Sequence, residues 1–340
     1  MLPMEVLQEA ASAIEEYKNT GISILETQHR GKDFEAIIEE SKQLVRLLCN
    51  IGNDYEVLWM QGGGRLQFSL IPMNFLLNRA AYIDSGHWAN QGIESSKFIG
   101  ETVTIASSRN INYTKLPQLP TEIDGDYSYL HFTTNNTIYG TQWQEMPKYN
   151  IPLIADMSSD IFSGKRDYTQ FDMFYAVAQK NLGIAGNTLV VIKKELLQHQ
   201  ARKLAPIFCY NNHVLENSIL NTANVFGIYV SLLMLRWITK KTLVQIENEN
   251  NQKAQLLYDT IDNNPHFNAY IQDKSDRSFM NVCFTANDAL IEEKLLDSCA
   301  ENNITGIKGH RSIGGFRVSL YNAITSNDVK KLVAIINSIN

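Results

Sequence analysis

The run Met173-Phe174-Tyr175-Ala176-Val177-Ala178 constrains this chain more than any other stretch. It is short, apolar and rich in strand-forming residues, and it breaks abruptly into Gln179-Lys180-Asn181 before Leu182-Gly183. Such a run predicts a buried strand that delivers Lys180 to its carboxyl end. In α/β proteins ligands gather at that end of the sheet. Lysine resists burial unless it is paired, so a lysine at this place needs a reason. A surface lysine following a strand is the other reading, and the rest of the chain has to decide between them.

The chain has 340 residues, 44% of them hydrophobic and 19% charged. That length supports a substantial core and predicts two domains. No apolar run approaches membrane-spanning length, so no membrane partner is expected. Met1-Leu2-Pro3-Met4-Glu5 lacks the basic-then-apolar layout of a signal peptide. Cys49, Cys209, Cys283 and Cys299 are scattered in apolar or helical contexts without a CxxC pair, which predicts reduced thiols, a cytoplasmic protein and no metal centre. The net charge is -6 and no basic stretch is interleaved with aromatics, which argues against a nucleic-acid partner.

Polar groups recur where predicted strands end. Residues 4–17 carry amphipathic-helix spacing, and residues 21–28 read as an extended piece ending in His29-Arg30, before a helix over 33–48. Two cations beside a helix N-terminus suit an anion, although a solvated loop is also compatible. A strand over 55–60 leads into Gln61-Gly62-Gly63-Gly64-Arg65 and then a helix. Glycines let backbone N–H groups converge on one point, and the helix N-terminus favours negative charge there. The loop fits neither the Walker pattern nor GxGxxG, and a tight packing turn remains open. A strand over 81–84 precedes Gly86-His87-Trp88, where the tryptophan is either core or a flat face for a stacked ring. Further strands are predicted over 102–105 and 127–132, the second followed by a polar turn through Asn136-Thr137-Ile138. A strand over 151–156 ends in Asp156, with Ser158 and Ser159 just beyond. Asp156 and Lys180 therefore both emerge at strand carboxyl ends, facing one crevice. Thr188 to Ile192 is expected to return as a hairpin partner of the 173–177 strand. Helices over 224–238 and 242–261 follow, the second linking two domains. The C-terminal part then alternates strand 279–284, helix 288–302, strand 316–321 and a closing helix from about Asn327.

A lysine can form a Schiff base with pyridoxal phosphate. The glycine loop would suit the cofactor's phosphate, an aspartate its pyridinium nitrogen and a tryptophan its ring. The segments that carry a wider likeness are Gln28-His29-Arg30-Gly31-Lys32, Gly62-Gly63-Gly64-Arg65-Leu66-Gln67-Phe68, Asp84-Ser85-Gly86-His87-Trp88 and Asn136-Thr137-Ile138-Tyr139-Gly140. They continue with Ala155-Asp156-Met157-Ser158-Ser159, Ala178-Gln179-Lys180-Asn181, Asn221-Thr222 and Gly309-His310-Arg311-Ser312-Ile313-Gly314-Gly315-Phe316-Arg317. In this order, across nearly the whole chain, they resemble the phosphoserine aminotransferases. These are class V members of the fold-type I, pyridoxal-phosphate-dependent aminotransferases.

The resemblance implies an α/β fold. A large domain, residues 1–242, would hold a mostly parallel seven-stranded sheet between helices, and a smaller C-terminal α+β domain would span 243–340. The first ten or so residues would pack on the small domain. It implies transamination between L-glutamate and 3-phosphohydroxypyruvate, giving 2-oxoglutarate and O-phospho-L-serine, and it allows the analogous step on a phosphorylated hydroxythreonine in vitamin B6 synthesis. Lys180 would carry pyridoxal 5'-phosphate and shuttle the proton, and Asp156 would pair with the ring nitrogen. Trp88 would stack on the ring, and Thr137 would bond its hydroxyl region. Gly64, Arg65 and Gln179 would bind the cofactor phosphate, joined by Asn221 and Thr222 of the neighbouring subunit of a homodimer. Arg317 would fork onto the substrate α-carboxylate. His29, Arg30, His310 and Arg311 would take the phosphate of phosphoserine or the distal carboxylate of glutamate.

Three departures stand out. The family normally has a segment like Phe-Ser-Ala-Gly-Pro before the Met-Leu-Pro found here as Met1-Leu2-Pro3, so either the start lies upstream or this edge of the site is built differently. Ala223-Asn224-Val225 follows Asn221-Thr222 where prolines are usual, and His87 replaces the usual tyrosine before Trp88. The alternatives are a class V enzyme for another amino acid, such as an alanine–glyoxylate or cysteine-processing enzyme, and an inactive or altered-specificity relative. The paired His-Arg sites weigh against the first, and the retention of Lys180, Asp156 and Arg317 against the second.

Overall fold

In the computed structural model, which describes residues 1–339, seven segments form one sheet. They are β1 (Tyr55–Gln61), β2 (Arg79–Asp84), β3 (Glu101–Ser107), β4 (Tyr127–Thr133), β5 (Leu153–Asp156), β6 (Met173–Val177) and β7 (Asn187–Lys193). Their spatial order is β1-β7-β6-β5-β4-β2-β3. β7 runs antiparallel to both its neighbours, β1 and β6. The remaining pairs are parallel. The hairpin expected between the 173–177 strand and Thr188 to Ile192 is therefore present, with Tyr175 opposite Val190.

The central strands are apolar on both faces because helices cover both. The helices are α1 (Met4–Glu15), α2 (Lys32–Cys49), α3 (Gly64–Phe75), α4 (His87–Lys97), the short α5 (Lys194–Leu197) and α6 (Tyr210–Leu215), and α7 (Val225–Lys241). Val57, Trp59, Phe174 and Ala176 share a core with Phe34 and Ile37 of α2 and with Ile228 and Leu232 of α7. The alternate residues Leu58, Met60, Met173 and Tyr175 share one with Phe68 of α3, Ile93 of α4 and Tyr210 of α6. Each large apolar side chain buried this way contributes roughly 1.5–3 kcal/mol. α7 is apolar nearly all round because it is covered by α1 and α2 as well as by the sheet. Residues 21–28 depart from the extended reading. Ser23 and Glu26 form a capping box around a single 3₁₀ turn, Ile24–Glu26, which exchanges two backbone N–H bonds locally.

α7 ends at Thr242, whose φ of 68° turns the chain sharply into α8 (Leu243–Asp262). A second unit follows: β8 (Phe267–Ala269), β9 (Asn281–Ala286), α9 (Ala289–Glu301), β10 (Phe316–Ser319) and α10 (Ser326–Ser338). Its antiparallel sheet has the order β10-β9-β8. Phe284 and Phe316 stack at its centre, their ring centroids 4.8 Å apart. α1 packs on α7, while Leu2, Pro3 and Met4 line a groove with residues 322–327 of the second unit.

The second unit is tied to the large sheet at its carboxyl edge. Asn135 Nδ2 donates to Asn281 Oδ1 at 2.8 Å, and the Asn322 backbone N–H donates to Asn181 Oδ1 at 3.1 Å. Below this seam Asp160 is fully buried. It accepts from Thr134 Oγ1 at 2.5 Å, from Gln142 Nε2 at 3.2 Å and from Arg166 at 2.7 Å. The Arg166 side chain is itself only 13% exposed. Removing one partner of such a pair strands the other charge in the protein. Asp160→Ala should therefore lower stability by roughly 3 kcal/mol, read from urea unfolding; a loss under ~1 kcal/mol would mean the network is not structural.

Candidate active site

The strand ends bring chemistry together at one edge of the large sheet. Asp156 is the last residue of β5, Thr133 the last of β4, and Lys180 lies just beyond β6. Gly63 and Gly64 follow β1 at the start of α3. With Arg65, Trp88, Thr137, Ser158, Ser159 and Gln179 they line a cleft of about 360 Å³.

Lys180 Nζ donates to Thr137 Oγ1 at 2.9 Å. Burial pushes the amine down to about 8, helped by Arg317, while Asp156 and Asp160 hold it back. An appreciable neutral fraction is thus available near physiological pH. Asp156 is almost fully buried. Burial raises its carboxyl above the usual range, against the Ser158 N–H that donates to Oδ1 at 2.9 Å and the charge of Lys180. A buried carboxylate with so few donors is suited to a cationic partner in the cleft. Behind it, His131 Nε2 lies 3.0 Å from the Tyr175 hydroxyl, and burial drives His131 down to about 3, so that ring is neutral.

The glycine loop begins α3 with no side-chain cap on Gly63. The first backbone N–H groups of a helix lack partners within it and favour an anion. Trp88 is half-buried, with the Arg65 guanidinium 5.5 Å from its ring centroid. Gly86, the residue that caps α4, cannot carry a side chain: a Cβ there would collide with the Asn136 amide, which donates to Ser85 O at 2.5 Å.

Cations gather beside this cleft from the second unit. Arg317, on β10, has a buried Nε with no hydrogen-bond partner among the described residues and lies close enough to depress the Lys180 amine. His310 and Arg311 sit on the loop before it, and the His310 ring centroid is 5.9 Å from that of His87. Burial lowers His310, with Arg317 and Arg311 adding to the effect. Among the described residues no carboxylate forms an ion pair with Arg65, His87, His310, Arg311 or Arg317.

The other expected residues lie elsewhere within one chain. His29 is half-buried and Arg30 exposed, just before α2, and neither side chain has a partner among the described residues. Asn221 and Thr222 are exposed, and Asn221 Nδ2 donates to Gln61 Oε1 at 2.6 Å. Thr133, Asn135, Ser158 and Ser159 line the cleft without having been assigned roles. Their signal was present as polar residues immediately after buried strands. Thr133 Oγ1 is buried there with no partner.

The class-V aminotransferase family model matches residues 1–332. The phosphoserine aminotransferase of Flavobacterium johnsoniae is 44% identical over 343 aligned positions, covering 100% of this chain and 96% of that protein. The chain belongs to the class-V aminotransferases, and within them to the phosphoserine aminotransferases. The crystallised phosphoserine aminotransferase from Bacillus circulans subsp. alkalophilus superposes with a TM-score of 0.96 at 37% identity, covering 100% of this chain and 95% of that one. The PLP-bound enzyme from Trichomonas vaginalis gives a TM-score of 0.92 at 30% identity, covering 99% and 97%. An inactive or redirected relative is not favoured by likeness of this extent.

The charge balance at Lys180 can be tested directly on cofactor-free protein. Asp156→Asn removes a nearby negative charge and should move the amine's titration below about 8; Arg317→Gln removes a positive one and should move it above. The pH dependence of labelling of Lys180 by an amine-reactive reagent, followed by peptide mapping, reads both shifts. Identical midpoints in all three proteins would contradict the assigned couplings.

Proposed function

We propose that the cleft binds pyridoxal 5'-phosphate on Lys180, and that this enzyme exchanges the amino group between L-glutamate and 3-phosphohydroxypyruvate, yielding 2-oxoglutarate and O-phospho-L-serine. The observation that carries the cofactor assignment is the meeting of a depressed lysine amine, a buried aspartate and an uncapped helix N-terminus in one cleft. Each feature fits one part of the cofactor. Asp156 suits the ring nitrogen, the Gly64 and Arg65 backbone with Gln179 suits the phosphate, Trp88 suits the ring face, and Thr137 suits the ring hydroxyl region. When bound, the cofactor supplies an electrophilic carbonyl carbon and an electron-withdrawing ring.

The protein's own groups do the rest. Asp156 stays ionised opposite a cationic ring nitrogen, because the pair offsets the burial that otherwise raises its carboxyl. The neutral Lys180 amine would take up the proton from substrate Cα, with Thr137 holding the amine in line. Arg317 brings an unpaired guanidinium for the α-carboxylate. His310 and Arg311, with His29 and Arg30, receive the second anionic group, so the phosphate of one substrate and the side-chain carboxylate of the other use the same charges. The analogous phosphorylated hydroxythreonine fits the same requirement.

The enzyme works as a cytoplasmic homodimer. Leu66, Ile207 and Phe208 are exposed apolar side chains around the groove that also contains Asn221. Pairing there covers this apolar surface and lets Asn221 and Thr222 reach the cofactor phosphate of the second subunit.

Three outcomes are expected. Borohydride should fix the cofactor to a peptide containing Lys180, and Lys180→Ala should lose both that attachment and aminotransfer. Phosphoserine added without a keto acid should convert the bound cofactor to its amino form, whereas alanine should not; a response to alanine alone would sink the substrate assignment. Arg317→Gln should raise KM for glutamate and phosphoserine alike by roughly a hundredfold, the scale of a lost charge-assisted fork. An effect on only one substrate would place Arg317 at the distal group instead.

A further inference from the structure

His87 is the feature that the proposed mechanism leaves unused. It opens α4 directly after Gly86, whose close approach to Asn136 fixes where the helix begins. Its ring meets edge-on that of Trp88, which lines the cleft, with centroids 5.1 Å apart, and its centroid lies 5.9 Å from that of His310. His87 has no hydrogen-bond partner among the described residues. His310 is oriented differently. Its Nδ1 lies 3.3 Å from the Ser312 backbone N–H and 2.8 Å from the Ser312 hydroxyl. A backbone N–H can only donate, so Nδ1 accepts and the proton of the neutral ring is on Nε2.

The charged groups facing this pair are all positive. Arg65 from α3 and Arg311 from the loop face His87, and Arg311 and Arg317 face His310. Burial and these neighbours keep both imidazoles below their ordinary range, and so neutral. Neutral rings beside arginines form a site whose charge can rise when an anion arrives.

We infer that His87 is a further ligand for the substrate's phosphate group, acting with His310, and that the pair takes up a proton when a phosphate dianion binds. This rests on the phosphorylated substrate proposed above. A dianion attracts the imidazolium form more strongly than a single carboxylate does, so the pair favours phosphate over the glutamate side chain. A tyrosine at this position would donate one hydrogen bond but would not become cationic. The linkage has a definite sign. The imidazole pKa is raised in the complex, so affinity is fully strengthened below the free-enzyme value and the gain is lost as pH rises through the bound value.

The test uses the holoenzyme and 3-phosphoglycerate, which carries the phosphate but no group that can transaminate, with glutarate as the carboxylate control. Titration calorimetry between pH 7 and 9, in two buffers of different ionisation enthalpy, reads the protons exchanged on binding. The wild type should take up protons with 3-phosphoglycerate and fewer with glutarate. His87→Gln and His87→Tyr should both reduce that uptake and weaken 3-phosphoglycerate by roughly tenfold, the scale of a lost charge-assisted hydrogen bond, with a smaller effect on glutarate. Unchanged uptake and affinity in both variants would overturn the role of His87. If the wild type neither binds 3-phosphoglycerate nor converts phosphoserine, the phosphorylated substrate itself is wrong and this inference falls with it.

Discussion

The desolvated amine of Lys180, held between Asp156 and Arg317, sets the terms for everything around it. Burial favours the neutral amine, and the Asp156 carboxylate favours the charged one. Burial lowers the amine to about 8, with Arg317 adding to that effect and Asp156 opposing it. The fold supplies that burial. β5 and β6 are neighbours in the sheet, with Asp156 opposite Tyr175, so residues at and just beyond their ends open into the same hollow. Parallel strands buried on both faces leave their polar ends as the place where backbone and side chains can meet a ligand.

Arg317 belongs to the second unit, which makes the seam between units part of the chemistry. Asn135 touches Asn281 on one side and lines the cleft on the other. Asn181, adjacent to Lys180, receives the Asn322 N–H. These bonds hold the second sheet, and with it β10, against the carboxyl edge of the first. Buried polar networks of this kind are stabilising only when their members are satisfied, and the Asp160 cluster beneath meets that condition for its carboxylate. The cations at the cleft are different. Among the described residues they have no carboxylate partner, and unpaired positive charge gathered in one place favours an anion.

Much of the architecture was legible because long apolar runs leave few options. The 173–177 strand, its hairpin partner and the helices over 33–48, 224–238 and 242–261 appear with ends shifted by a few residues at most. Short elements were not legible. β8 spans only Phe267–Ala269 and owes its strand geometry to pairing with β9, so no periodicity could announce it. The 21–28 segment has an apolar alternation, yet a local capping box offered its backbone a nearer set of partners. At the site, Lys180, Asp156 and the glycine loop could be found from their positions after strands. Thr133 and His87 could not be ranked above neighbouring residues, because their importance lies in what crosses the sheet edge to meet them.

By itself, the order of residues determined that a lysine follows one buried strand, that another ends in an aspartate, and that a glycine loop opens a helix well before both in the chain. Those are local facts, set by side-chain period and backbone freedom. Only the tertiary structure decided that the three share one cleft, that the charge of Arg317 on a separate sheet acts on the Lys180 amine, and that His87 lies near His310 across well over two hundred residues of chain. Charge and burial act through space, so the state of the Lys180 amine is a property of the assembled fold, while its place at the end of a strand is a property of the chain.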